Sequence, residues 1–141
     1  MVAKRVTSHA RRLAIALART AAENRCRDVV VLDLRKLSPV TDFFVLATGT
    51  SARQMRSAAE RAVEAGEELG EEPFSVEGTE VAEGTQAGRW VLIDYFDVVV
   101  HVFTDESRRY YDLELLWGDA PRINWAKGWK PRPDADAPPQ V

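Results

Sequence analysis

The most apolar and β-rich segment of the chain is Arg89-Trp-Val-Leu-Ile-Asp-Tyr-Phe-Asp-Val-Val-Val-His-Val-Phe103, and the predicted sheet is built around it. Its apolar, β-branched and aromatic residues are typical of a buried or half-buried strand. The run is too long for one ordinary strand, since strands usually contain about five or six residues. Two carboxylates, Asp94 and Asp97, interrupt it and indicate a turn. The sequence therefore predicts two antiparallel strands, Trp90–Asp94 and Val98–Phe103, joined by a tight connection.

Side chains alternate between the two faces of a strand, so the first strand offers two candidate core faces. One face carries Trp90, Leu92 and Asp94, and the other carries Val91 and Ile93. If the second face is buried, an indole and an aliphatic side chain lie beside a carboxylate on an open face, which is typical of a protein-binding patch. In an arbitrary protein, Trp90 would more often be ordinary core.

The chain has 141 residues, which fits a single domain with one core. Its net charge of -3 argues against broad nucleic-acid binding through a basic field. No apolar run approaches the roughly 20 residues of a membrane helix, and no secretory signal is evident. Cys26 is the only cysteine, so an internal disulfide is excluded and a cytoplasmic location is expected.

Hydrophobic periodicity and turn residues predict a helix from Thr7 to about Asn24, with Thr7 or Ser8 as its cap. Two antiparallel strands follow at 28–34 and 42–48. A helix capped by Ser51 then runs to about Leu69. Gly66 falls on the inner stripe of this helix, and close packing is its expected reason.

The second half of the chain continues the α/β pattern. A short strand at 74–77 is predicted to complete a crossover with a parallel pair, and Thr104–Trp117 to form the last helix, capped by Gly118. The predicted fold class is α/β, a mixed sheet of about five strands with helices packed against it. We expect a domain over residues 1–120 and a tail over 121–141, with Trp125 on the domain surface and disorder beyond about Lys130.

The residues indicate no complete catalytic, cofactor or metal site. His101 lies near Asp94 and Asp97, but no serine or cysteine nucleophile is clearly aimed at it. A metal-dependent nucleotidyltransferase would need a Gly-Ser turn followed by closely spaced carboxylates that bind two metals. Gly49 and Ser51 provide half of that pattern, and an Asp-x-Asp strand is missing. Such an enzyme is the rival hypothesis.

Several segments, in the same order along the chain, resemble the ribosomal silencing factor or Iojap family. Together they cover roughly residues 7 to 120, which is far more specific than any one motif. The matching segments are Asp28-Val-Val-Val-Leu-Asp-Leu34, Ser38-Pro-Val-Thr-Asp-Phe-Phe44, Ala47-Thr-Gly-Thr-Ser51, Val76-Glu-Gly78, Trp90-Val-Leu-Ile-Asp94, Asp97-Val-Val-Val-His101, Tyr110-Tyr-Asp-Leu-Glu114 and Leu116-Trp117.

The resemblance implies a nucleotidyltransferase-like architecture without catalytic residues, and therefore a protein that is not an enzyme and needs no cofactor. It implies a translational repressor that binds the large ribosomal subunit through ribosomal protein L-fourteen. The bound repressor sterically blocks joining of the small subunit when nutrients are short. No membrane and no sequence-specific nucleic acid is an expected partner, and a homodimer of the free protein is an open alternative.

The family's contact surface centres on the tryptophan-containing strand. It maps to Trp90, Leu92 and Asp94, and we add Asp97 and His101 to the expected partner-binding residues. Phe96 departs from the family pattern, which often has glycine at this turn. Because a turn that requires positive φ would strain phenylalanine, we expect a different type of turn.

Overall fold

A computed structural model describes residues 2–79 and 89–130, with the backbone alone for residues 2–8. No helix in these ranges is both long enough and apolar enough to cross a membrane. The helices and strands, in chain order, are α1 (Val2–Glu23), β1 (Arg27–Asp33), β2 (Phe43–Thr48), α2 (Ala52–Glu68), β3 (Ser75–Glu77), β4 (Trp90–Asp94), β5 (Val98–Phe103), α3 (Asp105–Tyr111), α4 (Leu113–Leu116) and β6 (Arg122–Ile123).

The strands form one mixed sheet in the order β3-β4-β5-β2-β1-β6. The predicted α/β class, the β4–β5 hairpin and the antiparallel β1–β2 pair are confirmed. The parallel pair is β2 with β5, whereas β3 pairs with β4, so the predicted pairing of β3 across the crossover is wrong. The hairpin lies between β2 and β3. The inner strand β5 is mostly buried, whereas the edge strand β3 is short and mostly exposed. The sixth strand, β6, is too short to be visible in the sequence.

One face of the sheet is sealed by α1 and α2. Leu17 and Met55 from the helices contact a layer of inward-pointing strand residues that includes Val45, Ile93 and Val100, all essentially inaccessible. The close packing expected at Gly66 is confirmed, because a Cβ there would lie 2.6 Å from the Tyr95 hydroxyl oxygen. This face is the main hydrophobic core.

Both long helices occur where the sequence predicts them, but α1 starts earlier. Thr7 and Ser8 lie inside α1, so the predicted cap is wrong; the preceding residues include alanine, lysine and arginine, which favour helix. The cap of α2 is confirmed, since the Gln54 amide donates to Ser51 Oγ at 3.1 Å. The Gln54 side chain in turn accepts from the Thr50 amide at 2.9 Å. The start of α2 is therefore satisfied by its own residues.

The predicted last helix is interrupted at Asp112, which lies in the left-handed region with φ 39°. Its amide closes α3 on the Arg108 carbonyl, and its carboxylate accepts from the Leu115 amide at 3.1 Å. Aspartate tolerates this conformation better than most residues because its short side chain makes local hydrogen bonds. One predicted helix thus becomes two short ones with a change of direction.

The chain after α4 returns over β1 and α1. Trp125 is half-buried, and its Nε1 donates to the Val29 carbonyl at 2.9 Å. Arg19 of α1 donates to the Trp125 carbonyl at 2.9 Å, and Trp129 Nε1 donates to Glu23 at 3.2 Å. Residues 121–130 are therefore docked on the domain. The disorder expected beyond Lys130 concerns residues outside the described ranges.

Candidate docking surface

The two faces of β4 are buried to different extents. Val91 and Ile93 are sealed in the main core, whereas Trp90, Leu92 and Asp94 alternate with them and are half-buried. We call these three residues the docking strip. The sequence is compatible with either face of β4 as the core. In the structure Val91 and Ile93 form the core face, so Trp90 lies on the more accessible one. The sheet face that carries the docking strip is only partly covered, so apolar surface remains accessible beside a carboxylate.

Aromatic neighbours and a hydrogen bond hold the Trp90 ring in place. Its Nε1 donates to His101 Nδ1 at 3.1 Å, across the β4–β5 pair. The ring centroid lies 4.6 Å from that of Tyr111 and 5.4 Å from that of Phe103. Because tilted rings at these separations attract one another, the indole has little freedom to rotate. Its exposed edge is therefore preorganised.

His101 lies beneath the docking strip, with only 6% of its surface exposed. Burial lowers the pKa of His101 to about 4, so the imidazole is neutral near pH 7. The hydrogen bond from Trp90 makes Nδ1 the acceptor, which places the remaining proton on Nε2. The edge of the ring contacts Phe44 with a centroid separation of 4.7 Å. His101 thus supports the indole from inside the sheet face.

The two carboxylates of the hairpin have different surroundings. Asp94 accepts the Phe96 amide at 2.7 Å and so closes the turn. The side chain of Asp97 is exposed, while its carbonyl accepts the Asp42 amide at 2.9 Å. Burial, and secondly the nearby Asp97 charge, raise the pKa of Asp42. Asp97 therefore lies in the turn at the hairpin end of the sheet.

The turn between β4 and β5 contains a residue with positive φ. Phe96 has φ 70°, and the Asp97 amide donates to the Tyr95 carbonyl at 2.9 Å across it. This is a γ-turn of the strained, positive-φ kind. The sequence-based expectation of another turn type is wrong. The Asp94 carboxylate and the pairing of Tyr95 with Val98 hold the turn in this form.

A cluster of exposed apolar residues on α3 and α4, which is not among the predicted site residues, lies beside the docking strip. Tyr111 joins this cluster to the docking strip through its contact with Trp90. In the sequence, the apolar residues of this region cover more of the helix surface than a single stripe. This pattern fits either a deeply buried helix or a helix that contacts a partner. The four residues, which we call the helical rim, are Tyr110, Tyr111, Leu115 and Leu116, with 81%, 55%, 77% and 71% of their surface exposed.

The helical rim is held against the sheet by Arg108. This guanidinium donates to the Asp28 carbonyl at 2.7 Å and to Thr48 Oγ1 at 2.9 Å, and it pairs with Glu114 at 2.8 Å. Its side chain is only 12% exposed, and its bond to Thr48 is part-buried, whereas its bond to the Asp28 carbonyl is exposed. Arg108 thereby fixes α3 and α4 beside Trp90.

The residues of the rival nucleotidyltransferase site do not converge. Gly49 and Ser51 follow the end of β2, whereas Asp94 and Asp97 adjoin the start of β5, which runs parallel to β2. The length of a six-residue strand, roughly 16 Å, separates them. A Cβ at Gly49 would lie 2.1 Å from Met55 Cγ, so this turn is packed against α2. Within the described ranges, no group of three or more His, Cys, Asp or Glu residues is placed to hold a metal ion.

Comparison with known proteins agrees with this geometry. The model of the family described as "Ribosomal silencing factor during starvation" matches residues 7–140. The chain belongs to the ribosomal silencing factor family. Ribosomal silencing factor RsfS of Halalkalibacterium halodurans is 42% identical to it over 72% of this chain and 81% of that protein. Membership supports a ribosome-associated translation regulator.

More distant members and solved structures extend the comparison. A mouse protein named "Mitochondrial assembly of ribosomal large subunit protein 1" is 29% identical over 67% of this chain and 40% of its own length. A crystal structure of a Chromobacterium violaceum protein superimposes with a TM-score of 0.67 at 35% identity, covering 79% of this chain and 85% of that one. This silencing factor therefore shares a fold with solved proteins.

Proposed function

We propose that this silencing factor represses translation by binding the large ribosomal subunit through ribosomal protein L-fourteen. The bound protein occupies space that the small subunit needs, so the two subunits cannot join and translation slows when nutrients are limiting. The description of the family supports a role on the ribosome during starvation. The name of the mouse relative supports an association with the large subunit. The choice of ribosomal protein L-fourteen rests on the family resemblance of the tryptophan-containing strand.

The single observation that carries this proposal is the docking strip with its helical rim. Trp90 and Leu92 present a half-exposed apolar face on rigid sheet, and Tyr111 continues it onto α3. Interfaces are typically anchored by a few aromatic residues surrounded by polar groups that exclude water. In this proposal the indole is the anchor, and Asp94 and Asp97 make polar contacts at the edge. His101 acts by orienting the indole, because it is buried.

Sedimentation of the protein with purified large subunits tests the docking surface. We expect co-migration with the wild-type chain. Trp90→Ala removes the anchor, so affinity falls by about 2 kcal/mol or more, on the order of thirtyfold. The matched control is Val40→Ala, because Val40 is a loop residue that is 82% exposed and lies outside the docking strip. Equal binding by Trp90→Ala and wild type, with both folded, contradicts the proposed surface.

A subunit-joining assay tests the consequence for translation. Adding the wild-type chain to large subunits before the small subunits should reduce the yield of complete ribosomes. Trp90→Ala should restore that yield, since the mechanism acts by occupancy and not by reaction. Calorimetry with nucleotide and magnesium addresses the rival enzyme, and saturable binding there would revive it.

The same apolar face offers a contact for a second copy when no ribosome is bound. We propose that the free silencing factor forms a homodimer that must open before docking. Light scattering over a range of concentrations should show a dimer that Trp90→Ala weakens. A chain that stays monomeric at the highest concentration rules the homodimer out and leaves ribosome docking unaffected.

We also propose that the protein works in the cytoplasm, where its ribosomal partner is found. The single cysteine fits a reducing compartment. Cys26 is 7% exposed, and burial raises the pKa of its thiol, which lowers its reactivity. Fractionation of cells followed by detection of the chain in ribosomal and soluble fractions would check this location.

A further inference from the structure

A second exposed aromatic site lies at the far end of β4 from Trp90. Phe74 is 68% exposed and Phe96 is 59% exposed, and their ring centroids are 4.6 Å apart. The Phe74 amide donates to the Asp94 carbonyl at 2.7 Å, which fixes the first ring beside the hairpin turn. We call Phe74 and Phe96 the turn pair. It forms a small aromatic surface that is linked to the docking strip by hydrogen bonds from both Phe74 and Phe96 to Asp94.

The backbone at Phe96 is better suited to glycine. Its φ of 70° is in the left-handed region, where a Cβ is crowded and glycine is not. The turn therefore does not explain why phenylalanine is present. The side chain does not explain it through burial either, since more than half of the ring is exposed. A role for the exposed ring accounts for both observations.

Charges around the turn pair select the kind of partner. Asp97 follows Phe96 directly, and the Asp94 carboxylate accepts the Phe96 amide at 2.7 Å. The charge of Asp97 also acts on Asp42. Two cations lie on the neighbouring loop, of which Arg35 is already paired with Asp33 at 2.6 Å and Lys36 is exposed. Carboxylates thus predominate next to the rings. They repel phosphate and attract lysine or arginine.

We propose that the turn pair binds a basic segment of a protein on the ribosome, with a lysine or arginine side chain against the aromatic rings. The inference rests on the proposed ribosomal function. A cation over an aromatic face is attracted by the ring quadrupole, and the adjacent carboxylates add to that attraction. Proteins that neutralise ribosomal RNA must carry such cations. The turn pair is then a second contact, one strand length from Trp90.

The direct test is a titration of the full chain, followed by nuclear magnetic resonance, with an arginine-glycine repeat peptide as the probe. The amide signals of Phe74, Phe96 and Asp97 should shift on titration. Phe96→Gly should weaken binding by about three- to tenfold and keep the fold, because glycine suits the backbone there. Phe74→Ser is the second variant, and Val40→Ala is the control for an exposed apolar side chain without a ring. A glutamate-glycine peptide should not bind.

Three results would overturn the inference. The first is that Phe96→Gly and wild type bind the arginine peptide with equal affinity. The second is that a single-stranded RNA probe binds the turn pair in preference to the peptide. The third is that Phe96→Gly loses self-association, which would assign the rings to a contact between copies. Raising the salt concentration should weaken peptide binding, since the partner charges are exposed.

Sedimentation with large subunits separates this inference from the proposed function. If wild type does not co-migrate, the proposed function fails, and the peptide titration still decides the chemistry of the turn pair. If wild type co-migrates and Phe96→Gly does so equally well, only the second contact fails. A partial loss in Phe96→Gly, smaller than that in Trp90→Ala, supports both.

Discussion

The two faces of β4 show how one strand serves two purposes. On one face, Val91 and Ile93 are almost completely buried under α1 and α2. On the other, Trp90 and Leu92 are half-buried, and Trp90 contacts Tyr111 of the short α3. Adjacent residues, separated by about 3.3 Å along the chain, thus belong to a sealed core and to an accessible surface.

Burial by the packed helices, and not amino-acid composition, determines which face of β4 is core and which is surface. Both faces of β4 are apolar, so either one could supply the core. Two long helices seal one face. On the other, Trp90 and Trp117 pack against a smaller buried cluster to which Leu92 does not belong. The members of this cluster are Leu32, Leu34, Leu46, Phe103 and Ala120. Stability and docking should therefore respond separately to substitutions only one residue apart.

The largest effect is expected for Ile93→Ala. Removing a fully buried branched side chain leaves a cavity, which typically costs about 2–5 kcal/mol of unfolding free energy. Denaturant unfolding followed by circular dichroism would measure it. The molecules that remain folded should bind large subunits normally. A loss of binding without a loss of stability would show that the sealed face takes part in docking.

A pH-dependent effect of similar size is expected at His101. Its pKa falls from 6.5 to about 4 on burial, so between these values the unfolded chain binds a proton that the folded chain excludes. Stability therefore falls as pH falls through this window, by up to about 3 kcal/mol. His101→Asn keeps an acceptor for the Trp90 N–H and does not titrate. Urea unfolding at pH 7 and 4.5 should show that the unfolding free energy falls less in the variant than in wild type. An equal fall in both would contradict the lowered pKa of the buried His101.

Arg108→Ala is expected to loosen the cover of the docking face. The variant removes the bonds to three partners, Asp28, Thr48 and Glu114, that tie α3 to β1, β2 and α4. It leaves Glu114 with Arg122 alone, so the segment should open at a cost of about 2 kcal/mol. Hydrogen exchange should accelerate in α3 and α4 and stay unchanged in α2. Arg109→Ala, at an exposed neighbour, is the matched control. Protection that is the same in both variants would show that other contacts hold the segment.

The smallest effect is expected for Leu92→Ala. This half-exposed side chain contributes apolar area around the anchor, so its truncation should weaken binding to large subunits by about 1 kcal/mol, roughly fivefold. Unfolding free energy should change by less than it does for Ile93→Ala. The reverse order, with Leu92→Ala the more destabilising of the two, would mean that the two faces of β4 are not distinct.

Much of the architecture could be predicted from local pattern. The β-rich runs, the turn between Asp94 and Asp97, and the Ser51 cap each depend on neighbours within a few residues, and all three are present. The pairing of β3 could not be predicted, because the choice of neighbour depends on contacts between distant segments. The break at Asp112 was hidden by apolar residues on both sides, which by themselves fit one continuous helix.

For the candidate site, alternation in β4 put Trp90, Leu92 and Asp94 on one face, and the backbone geometry of a strand makes that unavoidable. The sequence alone thus determined which residues stand together. Only the tertiary structure decided that this face is the one left half-open, that His101 lies beneath it, and that Tyr111 extends it. The physical reason is that side-chain alternation is a property of a single strand, whereas burial depends on which helices pack over the assembled sheet.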